Sequence, residues 1–279
     1  MHIGCSTICC GNAPADLALR SVREAGFSNI DLAAIRGIAP HVDVVGRPAG
    51  QAEALARAVA ANGLGVDALI CVAWFPDALE DFHELQRRYD TLAEVASAVG
   101  AATLIVDANT KRPDEDRSHA LDRFKRTTDL LAVIASGRGL SVAVEVPHGF
   151  TLAETLEQSL EVLDFADNPA LGVDYDTSHV WNSGATIAES VSALGDRIVH
   201  VALRDVLGPD RYGPPGDGVF DFAALLNALD QISYAGPLTL ELEPHDDLPI
   251  DDRVRDAIRG RDHLNLLLAR RQAESASQG

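Results

Sequence analysis

The sequence predicts an α/β fold, a (β/α)8 TIM barrel, on three observations. Apolar, strand-like runs alternate with helix-periodic segments along the whole chain. There are eight of each, and eight parallel strands close well into a barrel. No Gly-rich dinucleotide fingerprint follows the first run, and eight strands is long for an open, doubly wound sheet.

The strand candidates, in order, are Met1–Cys5, Asn29–Ala33, Gly65–Ala73, Thr103–Ala108, Ser141–Val146, Leu171–Asp176, Ile198–Leu203 and Leu238–Leu242. Between them, helical spacing covers Asp16–Ala25, Gln51–Asn62, Asp77–Gly100, Asp114–Gly137, Leu152–Asp167, Thr186–Leu194 and Asp221–Ile232, with Asp252–Ala273 closing the chain. Gly63, Gly100 and Gly137 are expected to supply left-handed C-caps, while Asn12-Ala-Pro-Ala-Asp16 and Arg112-Pro-Asp-Glu-Asp116 read as helix starts. No linker divides the 279 residues, 47% of them apolar. One domain is expected over 1–271, with a polar, disordered tail at 272–279.

A formal charge of −19 sets the surface against nucleic acid and anionic lipid. The longest nearly apolar run, Leu69 to Phe75, cannot span a bilayer, and no signal peptide is visible. These features predict a soluble, cytoplasmic protein that contacts neither nucleic acid nor membrane; self-association is left open. Cys5 and Cys71 sit in strand-like runs and read as small core residues. Cys9-Cys10 lacks the spacing of a zinc site.

Acidic residues end the later apolar runs: Glu145, Asp176, and Glu241 followed by Glu243. Alternate residues of a barrel strand point inward. That parity places Ala143 and Glu145, Asp174 and Asp176, His200, Ala202 and Arg204, and Thr239, Glu241 and Glu243 inside. The acids then gather at the C-terminal mouth, where barrel enzymes keep their active sites. Burying one ionised carboxylate costs several kcal/mol, and three together need a compensating cation. A divalent metal is expected at Glu145, Asp176 and Glu241; the plainer alternative is a salt-bridge network with Arg204.

The motifs Val142-Ala-Val-Glu145, Gly172-Val-Asp-Tyr-Asp176-Thr-Ser-His179, Ile198-Val-His200-Val-Ala-Leu-Arg204-Asp205, Pro215-Gly-Asp-Gly218-Val-Phe-Asp221-Phe222 and Tyr234-Ala-Gly-Pro-Leu-Thr-Leu-Glu241 follow one another in an order that resembles the xylose isomerase-like TIM barrels, the sugar phosphate isomerase/epimerase superfamily. Ile3-Gly-Cys-Ser-Thr7 and Glu24-Ala-Gly-Phe-Ser-Asn-Ile-Asp31 resemble the family's first two strands. The resemblance implies a metal held by Glu, Asp, His and Glu from strands five to eight. Here the histidine position falls on Ala202, three residues before Asp205. His200 is the fourth-ligand candidate, although it lies two residues, about 6.6 Å, deeper; water, His179 or His148 could complete the shell instead.

The resemblance also implies that His179 faces substrate and that Glu145 or Glu241 moves a proton, with His179 and Arg204 stabilising the charge. His148 reads as a base or a surface residue, Asp174 as a structural acid, and Pro214–Gly218 as a loop lining the pocket. An oxygen-rich shell suits Mn²⁺ first, with Mg²⁺, Co²⁺ or Zn²⁺ also compatible. The expected partner is a small sugar or polyol-derived substrate. The expected function is a metal-dependent isomerase or epimerase working through an enediolate. Dehydratase or lyase chemistry is the alternative, as is a barrel that has lost its metal and only binds. Thr151 replaces a glutamate usual in ketose 3-epimerases, and the histidine set of endonuclease IV is absent.

Overall fold

The structure is a computed structural model that describes residues 1–71, 81–112, 114–209, 211–243 and 248–278, the last five of these by backbone alone. Eight parallel strands form the barrel: β1 His2–Ser6, β2 Asn29–Ile35, β3 Gly65–Cys71, β4 Thr103–Asp107, β5 Ser141–Glu145, β6 Leu171–Asp176, β7 Ile198–Leu203 and β8 Pro237–Leu240. Each pairs with its neighbours in sequence, and β1 pairs with both β8 and β2, which closes the sheet. Short Ala39–Pro40 adds antiparallel to β2, and Asp205–Gly208 with Arg211–Gly213 forms a hairpin beyond β7.

The helices are α1 Ala15–Glu24, α2 Gln51–Ala61, α3 Phe82–Val99, α4 Arg117–Ser136, α5 Leu156–Ala166, α6 Thr177–Ser183, α7 Ile187–Leu194, α8 Phe222–Gln231 and α9 Ile250–Gln278. Side-chain caps start α3, α5, α6, α7 and α8. Asp81 accepts from the first amides of α3, and Thr186 with Glu189 forms a capping box on α7. Short α6 and the hairpin are additions to the expected elements. The Val72–Ala73 end of the third strand candidate and the Asp77–Glu80 start of its helix lie outside the described residues. Helix α9 takes in most of the segment 272–279 that composition alone reads as a tail. No helix among the described residues is long and apolar enough to cross a membrane.

The strand parity divides the core. Val142, Val144, Val201, Leu203, Leu238 and Leu240 pack outward in the large cluster shared with the helices. Ile8, Ala33, Ile35, Ala39, Ala68, Ile70, Ile105 and Ala143 form a separate apolar cluster within the barrel, on the β2 to β5 wall. The β5 to β8 wall carries buried polar groups instead: Glu145, Asp174, Asp176, His200, Arg204, Thr239 and Glu241. All four cysteines are buried and free.

Candidate metal centre

Glu145 and Asp176 are the last residues of β5 and β6, and Glu241 follows β8 directly. Their side chains are no more than 2% exposed. Each offers an oxygen, and the three oxygens lie within 4.8 Å of one another. Asp176 divides its carboxylate between two tasks. Oδ1 accepts from the Ser178 and His179 amides and from Ser178 Oγ, and so caps α6. Oδ2 is left for the barrel mouth, where it makes no directed hydrogen bond. Arg204 Nε lies 3.0 Å from it.

Arg204 leaves β7 with its backbone tied to α6: its amide donates to Thr177 Oγ1, which donates to the Arg204 carbonyl. Its guanidinium lies 3.2 Å from Glu243, stacks over the Tyr212 ring and donates from Nη2 to His179 Nε2 at 2.8 Å. Burial raises all three carboxyls, and their neighbours drive them apart in their titration. Glu241 is pushed well above the usual carboxylate range by burial and by Glu145. For Glu145 burial acts the same way, but the imidazoles of His148 and His179 outweigh it and hold the group low. Asp176, also buried, is held at about 2 by Arg204, His179 and the α6 amides.

The residues therefore fit a hard divalent ion. Three buried carboxylate oxygens converge, Asp176 Oδ2 accepts no directed hydrogen bond, and one guanidinium cannot balance three acids with Glu243 beside them. The nitrogen ligand of the expected set is missing. Ala202, fully buried, sits in register between Asp176 and Thr239 and presents only a methyl.

His200 is corrected on this point. It is buried a layer below, with Nδ1 2.8 Å from Asp174 Oδ1 and Nε2 2.9 Å from Asp31 Oδ2 and 3.2 Å from Thr239 Oγ1. Both ring nitrogens are thus engaged within the barrel, and neither reaches the three carboxylates. Burial would lower the imidazole pKa, but Asp31 and Asp174 raise it well above its ordinary value. Asp174, lifted by burial to about 6, is the structural acid expected. His148 and His179 do come to the mouth, their rings 4.0 Å apart beside Glu145.

One organising residue had no signal beyond its place after Arg204. Asp205 Oδ1 accepts from the Val206 and Phe220 amides, and Oδ2 from the Gly216 and Gly218 amides, all at 2.8–2.9 Å. A Cβ at Gly218 would meet the Val206 carbonyl at 2.2 Å, so only glycine permits this approach. A single buried carboxylate thus holds the Pro214–Gly218 loop against β7. Asp205→Ala should leave four amides without acceptors, those of Val206 and Phe220 buried, destabilise the protein by about 2–3 kcal/mol and open the loop to limited proteolysis. Unchanged melting and cleavage would show that the loop is held elsewhere.

The xylose isomerase-like TIM barrel family matches residues 19–265. The chain belongs to this family. Among curated relatives of this xylose isomerase-like barrel, L-ribulose 3-epimerase of Methylomonas sp. (strain DH-1) is 31% identical over 46% of the chain and 42% of the relative, so that match spans under half the relative's length. Ketose 3-epimerase of Arthrobacter globiformis is 28% identical over 86% of the chain and 83% of the relative. An inosose dehydratase of Clostridium perfringens is 23% identical over 71% of the chain and 76% of the relative. The crystal structure of D-allulose 3-epimerase from Methylomonas sp. superposes with a TM-score of 0.76 at 21% identity, covering 96% of this chain and 98% of that one. The fold of this family member is thereby shared with proteins of more than one activity.

Proposed function

We propose that this barrel is a metal-dependent isomerase or epimerase acting on a small sugar or related polyhydroxy carbonyl compound. The observation that carries the proposal is the convergence of Glu145, Asp176 and Glu241 at the mouth with too little positive charge to balance them. A relative named ketose 3-epimerase, matched over 83% of its length, points the same way. A divalent ion, Mn²⁺ first and Mg²⁺, Co²⁺ or Zn²⁺ also compatible, would be held by Glu145, Asp176 and Glu241. When bound it supplies Lewis acidity that lowers the pKa of the proton next to a carbonyl.

The chain's own groups do the rest. Glu145 or Glu241 takes that proton from carbon. The resulting enediolate oxygens are met by His179 and by the Arg204 guanidinium, which Asp176, Glu243 and Tyr212 hold in place. The proton is then returned at the neighbouring carbon or on the other face. The buried position of the three acids keeps bulk water from competing for it.

Turnover in D₂O tests this. A true substrate should gain deuterium at the carbon beside its carbonyl, at a rate at least equal to product formation. Conversion with no incorporation, measured in both recovered substrate and product, would sink the enediolate reading. Dehydration is the second reading, favoured by the His148 imidazole beside Glu145, which could protonate a departing hydroxyl, and by the inosose dehydratase relatives. A product lighter by one water decides for it.

A further inference from the structure

We propose that Arg204 is the resident counter-ion of the carboxylate centre. With no divalent ion bound, its guanidinium balances Asp176. An ion taking Asp176 Oδ2 displaces that contact and opens the Nε edge of the guanidinium to an acceptor oxygen. The inference rests on the metal reading above and adds to it a competition between the chain's own cation and the ion.

The contact of Arg204 with Asp176 carries it. Nε lies 3.0 Å from Oδ2, yet its N–H is not aimed at that oxygen, and both atoms are buried without a hydrogen-bond partner among the described residues. Opposite charges this close attract strongly where water is excluded. A buried donor and acceptor that stand together without bonding are each left for another partner. For an acid oxygen among three converging carboxylates, that partner is a cation. For a guanidinium N–H it is an acceptor oxygen.

The rest of Arg204 does not depend on Asp176. Its backbone is tied to Thr177 in both directions. Nη1 lies 3.2 Å from Glu243, Nη2 lies 2.8 Å from His179 Nε2, and the guanidinium stands 4.8 Å from the centre of the Tyr212 ring. Asp176 Oδ1 likewise stays with the α6 amides and Ser178. An ion can therefore claim Oδ2 while both side chains keep their other anchors. The cost is electrostatic, because the ion then sits beside a fixed positive charge that weakens its hold. Arg204 thus keeps the metal-free barrel folded and holds ion affinity down.

The test is calorimetric titration of the chelator-stripped full chain with Mn²⁺, beside melting with and without the ion, in the wild type, Arg204→Met and Arg204→Lys. Arg204→Met should melt lower than the wild type without metal, bind Mn²⁺ about tenfold more tightly or better, and gain a larger melting shift from it. Arg204→Lys, which keeps the charge, should bind within about threefold of the wild type. A residue that only supports the fold would lower metal-free melting and leave affinity unchanged. That result, or weaker binding by folded Arg204→Met, overturns the inference and leaves the carboxylate centre standing. No Mn²⁺ bound by any of the three proteins overturns both. Should Arg204→Met fail to fold without metal, ¹⁵N-arginine NMR of the wild type decides, with the Arg204 Nε resonance assigned from its loss in Arg204→Lys. Displacement of that resonance by saturating Mg²⁺ supports the inference, and an unmoved resonance overturns it.

Discussion

Glu241→Gln is expected to abolish the rise in melting temperature that Mn²⁺ gives the wild type. An ion bound only to the folded chain at 100 times its Kd stabilises it by about 2.7 kcal/mol, or roughly 5–10 °C for a domain near this size. The amide keeps the shape of the side chain and removes its ligand charge. In metal-free protein the same change should cost nothing and could add stability. Glu241 is buried against Glu145 and, unlike Glu145 and Asp176, has its carboxyl pushed above the ordinary range, so neutralising it relieves repulsion. The two readouts therefore move in opposite directions: metal-free melting is held or raised, and the Mn²⁺ shift is lost. A Glu241→Gln protein that keeps the full shift would place the ion elsewhere.

His200→Ala should do the reverse. Removing the imidazole leaves Asp31 and Asp174 buried without the cation between them, and breaking a buried ion pair in this way costs about 3–5 kcal/mol. Melting should fall by on the order of 10 °C. The Mn²⁺ shift of the folded fraction should persist, because the ion's carboxylates lie a layer above. Adding Asp174→Asn to His200→Ala should recover part of the loss, since one of the two stranded charges is gone. If His200→Ala folds normally and loses the Mn²⁺ shift, His200 is a ligand and the layer assignment fails.

The barrel and its polar mouth were legible in the sequence for one physical reason. Side-chain direction in a strand has a period of two, and β5 to β8 keep apolar residues at one parity and Glu145, Asp176, Arg204 and Glu241 at the other. Local pattern also showed that His200 points inward. It could not show the partner that fixes its role, because Asp31 approaches from β2, on the far side of the sequence. The same limit applies to Asp205, whose value lies in four amides as far as fifteen residues away. Helix α6 was missed because seven residues carry too little periodicity, and its start is set by Asp176, a residue already claimed by the mouth. The contact of His148 and His179 joins the loop after β5 to the first turn of α6, and no single strand or helix period encodes that.

The barrel interior is divided lengthwise: apart from Asp31, which reaches across to His200, the β2 to β4 wall is largely aliphatic, and the β5 to β8 wall is largely polar and ionic. Such a cross-section separates the residues that can be exchanged from those that cannot. Substitutions along the polar wall change which oxygens and nitrogens face a bound molecule, while the aliphatic wall opposite continues to keep the strands in register. The half of the tube that holds it shut need not change.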